Sequence, residues 1–274
     1  MTAIKKRIKK IVEKTAGAGL TKNLHFKFKS VSNYFKNRKF KAENPGIAIP
    51  PDEWLFETFQ LDYQKYFDDG NLAAEEIWKW TIQYISAETP AILDWGCGTG
   101  RIIQHLHRQN PYALLYGADI NKKMIAWNHQ HIRDSYFSKI TLQTPTEYPA
   151  NYFDLVYGIS VFTHLSANMQ KDWVAEMNRI LKPAAILLVT THGSYFTNQL
   201  LDAEKKQYHN EGIFEKIFQK NNQPVLGDRN YTVYETADYF EKMIASSFNT
   251  VAYFDGSESP EKFGGQDLWI LQKK

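Results

Sequence analysis

Ala91-Ile92-Leu93-Asp94-Trp95-Gly96-Cys97-Gly98-Thr99-Gly100-Arg101 decides how this chain is read. An apolar run ends in a carboxylate, Asp94, and three glycines then alternate through a tight turn. Ile102, Ile103 and Leu106 follow at helical spacing. The pattern predicts a strand, a turn and a helix in which the backbone comes close to a ligand, because glycine has no Cβ to block the approach. Dinucleotide folds use G-x-G-x-x-G, whereas the order here is acid-x-G-x-G-x-G, with Arg101 where the third dinucleotide glycine would fall. A phosphate-binding turn has little use for a carboxylate two residues before its first glycine. A ligand with a cationic amino-acid end uses one well.

Leu114, Leu115 and Tyr116 run into Gly117-Ala118-Asp119-Ile120-Asn121, and Met124, Ile125 and Trp127 continue with helical spacing. Asp119 lies 19 residues after Gly100, close to where nucleotide-binding βαβ units place an acid on ribose hydroxyls. A carboxylate accepts both hydrogen bonds of a diol; the plainer reading is a helix cap. Tyr152–Leu165 reads as a buried strand, a loop and a helix start, Met169–Leu181 as a helix, and Ile186–Thr191 as another apolar strand before His192-Gly193. Continuous apolar strands alternating with helices predict an α/β fold, a doubly wound and mostly parallel sheet. Ligands of such sheets bind at the carboxyl ends of the strands, here just past Leu93, Ala118, Ile159 and Thr190. Thr250–Phe254 and Asp267–Gln272 read as a final antiparallel pair.

With Leu93–Gly100, Gly117–Asn121, Phe153–Val156 and Ser160–Leu165, the chain resembles the class I S-adenosylmethionine (SAM)-dependent methyltransferases over about residues 50–274. The resemblance implies a Rossmann-like domain, SAM as methyl donor and no metal. It also implies a cofactor site drawn from Asp94, Gly96, Cys97, Gly98, Gly100, Arg101, Asp119, Ile120, Asn121 and Ser160. Many relatives carry an acid near the adenine amino group; here Gln143 or Thr144 would have to serve. Relatives commonly have two glycines after Lys-Pro, where this chain has Ala184-Ala185. A hydroxyl acceptor needs a base, and His164 and His192 each follow a strand tip; Tyr195 and Asp267 are weaker candidates. Structural roles compete for all four.

The family's sequence signatures also argue against several acceptors. Gly158-Ile159-Ser160-Val161 is not the Pro-Pro-aromatic signature of nucleic-acid amino-group methylation. No paired glutamates suit arginine methylation, and Cys97 sits in the turn rather than where a nucleophile would act. A small molecule, sugar or lipid-linked glycan remains, methylated at oxygen. An RNA methyltransferase and a non-catalytic SAM-binding protein are the alternatives.

A length of 274 residues and 43% hydrophobic content suit one α/β domain with appendages. One cysteine permits no disulfide within the chain, the eight histidines form no ligand pattern, and no apolar run is long enough to span a membrane. Charge is uneven. Residues 1–41 hold 13 Lys or Arg and one acid, Glu13, so the remainder is acidic. Ile4, Ile8, Ile11 and Val12 form one apolar helix edge, with no secretory h-region behind it. Phe26, Phe28, Tyr34, Phe35 and Phe40 are interleaved with further basic residues. Such a segment suits an anionic membrane surface, with nucleic acid and a solvated arm as the other readings. The expected organisation is a basic arm and linker over 1–45, a helical cap over 46–88, and a methyltransferase domain over 89–274. A polar, helical insertion is expected over about 194–232. The expected location is cytoplasmic, with peripheral contact at the inner membrane face.

Overall fold

The computed structural model describes residues 17–217, 231–260 and 263–274. The Ile4–Val12 edge and the stretch of the insertion that holds Phe218 lie outside the described residues. Contacts divide the chain into two compact units, Met1–Gly70 and Asn71–Lys274.

In the first unit, helices α1 (Gly17–Glu43) and α2 (Asp52–Phe59) and the start of α3 (Tyr63–Thr81) surround Phe40, Leu55, Phe56, Leu61 and Tyr66. The turn between α2 and α3 puts Gln60 and Leu61 at positive φ. Its carbonyls are satisfied from α1. Asn33 Nδ2 donates to the Gln60 and Leu61 oxygens at 3.0 and 3.1 Å, and Asn37 Nδ2 donates to the Leu61 oxygen at 2.7 Å. The face of α1 that carries Asn33, Asn37 and Phe40 is therefore committed to this unit.

The second unit is built on a seven-stranded sheet in the order β3-β2-β1-β4-β5-β9-β8. Its strands are β1 (Ala91–Trp95), β2 (Leu114–Asp119), β3 (Ser135–Lys139), β4 (Phe153–Gly158), β5 (Leu181–Thr191), β8 (Phe248–Phe254) and β9 (Asp267–Lys273). The first five are parallel and β9 runs antiparallel to both neighbours. Every residue of β1 is buried, as befits a strand covered on both faces. The covering helices are α4 (Ile103–Leu106), α5 (Lys122–His131), α6 (Ala167–Ile180) and α8 (Ala237–Ile244). Strand order reverses between β1 and β4, so the turns after these two strands open a crevice at their carboxyl ends.

Three features differ from the sequence expectation. β3 is short, with Phe137 its one fully buried side chain, and carries little apolar signal. β5 begins at Leu181, and Ala184 takes a φ of 61° in the turn-like position where relatives of the resembling family have glycine. The insertion is helical only in part. After α7 (Asp202–Glu211) it becomes an antiparallel hairpin, β6 (Ile213–Ile217) with β7 (Tyr231–Glu235). Gly212, left-handed at φ 75°, ends α7, and the β-branched and aromatic residues beyond it favour strand.

Behind the crevice, Trp173 of α6 packs on Trp95 with ring centroids 4.8 Å apart, and its Nε1 donates to the Leu142 carbonyl. Trp173→Ala is expected to destabilise the protein by about 3–5 kcal/mol, measured by denaturant unfolding against wild type.

Candidate active site

The glycine turn is fastened to β2. Gly96 and Cys97 both donate their N–H groups to the Ala118 carbonyl, at 2.7 and 3.0 Å. Gly98 N donates to Asp119 Oδ2 at 2.8 Å, and Asn128 Nδ2 on α5 donates to the Gly98 carbonyl at 2.9 Å. Gly98 itself has a φ of 52°, and a Cβ built there would meet nothing within 4 Å. Its backbone therefore borders open space at the strand tips, a cradle that a side chain would fill. Cys97 is buried, and its thiol is held well above the ordinary range by burial and the neighbouring Asp94 and Asp119 carboxyls. It is a packing residue, not a nucleophile.

Two carboxyls flank this cradle. Asp94 is almost fully buried, and burial pushes it up to about 7 against the pull of the Tyr157 hydroxyl and the Arg101 charge. A buried carboxylate in this state gains from a cationic ligand group that replaces the lost water. Asp119 is raised by burial and partly restored by N–H groups of Asn121, Gly98 and Ile120. Its Oδ1 accepts from Asn121 N at 2.7 Å, so both oxygens brace the loop while lone pairs remain for further donors. The Asn121 side chain caps α5 through Lys123 N and Met124 N. Ile120 is half-buried beside it, and Gln143 is exposed and Thr144 half-buried past β3. The cradle, an ionisable group for an amino-acid end and an acid at ribose distance in sequence fit SAM.

The structure brings His164 and His192 together at the tips of β4 and β5. His164 Nδ1 lies 2.7 Å from the Tyr231 carbonyl of the hairpin, so Nδ1 is the donor and the ring is oriented by the hairpin. His192 is driven down to about 4 by burial and the neighbouring His164, and its ring lies 4.2 Å from that of Phe196. Ser160, at φ 61°, donates its N–H to Thr190 Oγ1 at 2.8 Å. Asp267 Oδ2 accepts from the Tyr253 hydroxyl and Oδ1 from Gly256 N, both at 2.9 Å, so that carboxyl anchors a loop. Tyr195 packs against Gly265.

Three residues here escape sequence reading. Asn128 looks like any polar helix residue, yet it holds the glycine turn. Gln266 bridges Ser160 Oγ and Thr190 Oγ1, with Oε1 accepting from the threonine at 2.6 Å. Glu235, at the end of β7, is buried with both oxygens lacking a hydrogen-bond partner, and burial raises it to about 8. None has a local motif; only the fold brings them in. Among the described residues, no group of three or more His, Cys, Asp or Glu side chains is placed to hold a metal.

Residues 93–189 match the family model described as a methyltransferase domain, and the fold around them is that of the class I SAM-dependent methyltransferases. The chain is 29% identical over 62% of its length to a malonyl-[acyl-carrier protein] O-methyltransferase of Paenibacillus sp. (strain JDR-2), spanning 63% of that enzyme. It is 30% identical over 50% of its length to the ubiquinone/menaquinone biosynthesis C-methyltransferase UbiE of Paraburkholderia phymatum, spanning 53% of it. The chain thus spans less than two thirds of either curated relative. Among solved structures, a SAM-dependent methyltransferase from Methanosarcina mazei superposes with a TM-score of 0.52 at 18% identity, over 70% of this chain and 96% of the other. Streptomyces venezuelae DesVI gives 0.53 at 15% identity, over 80% and 98%.

The charge state of Asp94 sets a pH dependence. Below about 7 the carboxyl of the ligand-free protein holds its proton, and a cationic ligand group must displace it. SAM affinity is expected to rise with pH up to about 7, by at most roughly tenfold per unit, and then level off. Calorimetry across that range checks this, and Asp94→Asn is expected to weaken binding and flatten the profile.

Proposed function

We propose that the chain transfers a methyl group from SAM to the hydroxyl of an uncharged small molecule, sugar or lipid-linked glycan. The observation that carries this reading is the oriented imidazole of His164, whose Nδ1–H is spent on the Tyr231 carbonyl. SAM supplies a methyl group already activated on a sulfonium. The protein's task is then to hold the acceptor, exclude water and take its proton. Asp94 and the Gly96–Gly100 turn, with Arg101, receive the amino-acid end, Asp119 the ribose hydroxyls, and Ile120 with Gln143 or Thr144 the adenine. Asn121 and Cys97 shape the loops between, and Ser160 borders the methyl.

His164 Nε2 is the base in this reading, positioned by the hairpin. His192, neutral at pH 7 because burial lowers it to about 4, is too weak a base to compete and forms the apolar side of the acceptor site. The same strand tips carry the buried acid Asp267, raised only to about 6 and so largely ionised at pH 7, which disfavours a carboxylate acceptor and suits a neutral one. The names of the curated relatives include both an O- and a C-methyltransferase, so oxygen as the target rests on His164 rather than on them. The basic residues 1–41 suit contact with an anionic membrane surface, which would place the enzyme beside a lipid-linked acceptor.

Two variants test the assignments. Asp119→Ala is expected to weaken SAM binding by about 1–3 kcal/mol in a folded protein, and unchanged affinity by calorimetry would refute the ribose contact. His164→Ala is expected to leave SAM affinity intact while lowering methyl transfer from labelled SAM into a cell extract by about 10²–10⁴-fold. Equal transfer by variant and wild type would remove the histidine from the chemistry. Label recovered in RNA instead of small molecules or glycans would replace the acceptor class.

A further inference from the structure

Helix α1 has two apolar faces, and only one is used within its unit. Phe40 is buried there, and the Asn33 and Asn37 side chains bind the α2–α3 turn. On the opposite side Leu24, Phe28, Val31 and Phe35 follow one another at i, i+4, i+7 and i+11, with 57, 68, 77 and 80% of their surface exposed. That spacing lines them up along a single face. Four large apolar side chains in a row facing water are a cost to a soluble helix, and contiguous patches of this kind mark contact surfaces.

The flanking charge indicates what covers the stripe. Lys27 and Arg38 border it on one side and Lys39 on the other, all exposed, and no acid lies among the residues of that face. Glu43, the one acid of α1, sits at the edge and pairs with Lys39 at 3.7 Å. Other cations of α1 serve its own unit: Lys36 binds Asp62 at 2.7 Å and Lys41 lies over the Tyr63 ring. A second copy of the stripe would bring basic flank against basic flank. The repeat also covers fewer than two heptads, short of what a helix seam needs. A bilayer with anionic headgroups meets both requirements, taking the apolar stripe below the headgroups and the lysine and arginine flanks among them. α1 is not apolar enough to cross a membrane.

We propose that the Leu24/Phe28/Val31/Phe35 face of α1 docks flat on an anionic lipid surface, with Lys27, Arg38 and Lys39 bracketing it. The proposal deepens the reading of residues 1–41 as a membrane-contacting segment and rests on it: that reading names a charge, and this one names an inserting edge.

The test is flotation of the full chain with phosphatidylcholine vesicles, with and without phosphatidylglycerol. Wild type is expected to float with the anionic vesicles at least about tenfold better than with neutral ones, and to keep a bound fraction at high salt. Phe28→Ser with Phe35→Ser leaves the charge untouched, and is expected to reduce flotation about tenfold and abolish the salt-resistant fraction. Leu24→Ser with Val31→Ser is expected to do the same, so a folding defect in one pair does not decide the matter. Tyr112→Ser, at an exposed aromatic of the other unit, is expected to change nothing. If both pairs float like wild type with unaltered melting and SAM affinity, the stripe is overturned and attraction by charge alone survives. If wild type ignores anionic vesicles, both readings fall. In that event a dimer in sedimentation that either pair dissolves would assign the stripe to a second copy, and salt-sensitive RNA retention would assign the basic segment to nucleic acid.

Discussion

The buried carboxyl of Asp94 is the constraint on which the site turns. It closes a strand buried on every residue, beside a turn whose three glycines all have positive φ, and it has lost the water that would keep it ionised. Above about pH 7 a protein gains nothing in stability from such a group. With its affinity for protons raised from 3.8 to about 7, it favours folding at low pH and loses that contribution as pH rises through 7. The cost makes sense if a cationic ligand restores the charge, because a site that is unsatisfied alone binds its partner more selectively. The neighbouring elements serve the same end. Ala118 accepts two N–H groups of the turn, Asn128 holds its carbonyl, and Asp119 braces it from β2, so the donors around the cradle are fixed before any ligand arrives.

The side proposed for the acceptor is organised differently. It is assembled from segments far apart in sequence: the loop after β4, the tip of β5, the hairpin β6–β7 and the loop before β9. Gln266 ties the last of these to Ser160 and Thr190, and the Tyr231 carbonyl fixes His164. Its carboxyls are buried and raised, Asp267 to about 6 and Glu235 to about 8, so near neutral pH Glu235 holds its proton while Asp267 is largely ionised and accepts from Tyr253 and Gly256.

What the sequence made legible follows from where each interaction lies along the chain. The glycine turn, Asp119 and the apolar strands β1, β2 and β4 are local patterns, in which the residues that need one another are neighbours. The antiparallel end of the sheet was readable for the same reason, from two alternating runs near the C-terminus. β3 was not, because it borrows its stability from β2 and α5 and buries only Phe137 fully. The hairpin was hidden inside a polar insertion whose strands pair with each other across residues 218–230. Gln266 and Ser160 are 106 residues apart, and Asn128 and Gly98 are 30 apart; such partners carry no signature until the fold joins them.

Glu235 is the clearest case of a residue whose meaning only the fold supplies. In sequence it is the acidic end of a short β-branched and aromatic run. In the structure it lies where the hairpin meets the sheet tips, with its N–H donated to the His192 carbonyl at 3.0 Å and its carboxyl oxygens left without a partner. Burial, with the neighbouring Asp267, holds the acid neutral, and the nearby Gln170 side chain of α6 is committed through Nε2 to the Phe162 carbonyl. A neutral carboxylic acid is a donor as well as an acceptor, so at neutral pH it can exist there without the full desolvation cost of a charge. The hairpin that orients His164 is therefore seated on a group whose own protonation is unfavourable to lose, which ties the geometry of the proposed base to the burial of an acid on the adjoining strand.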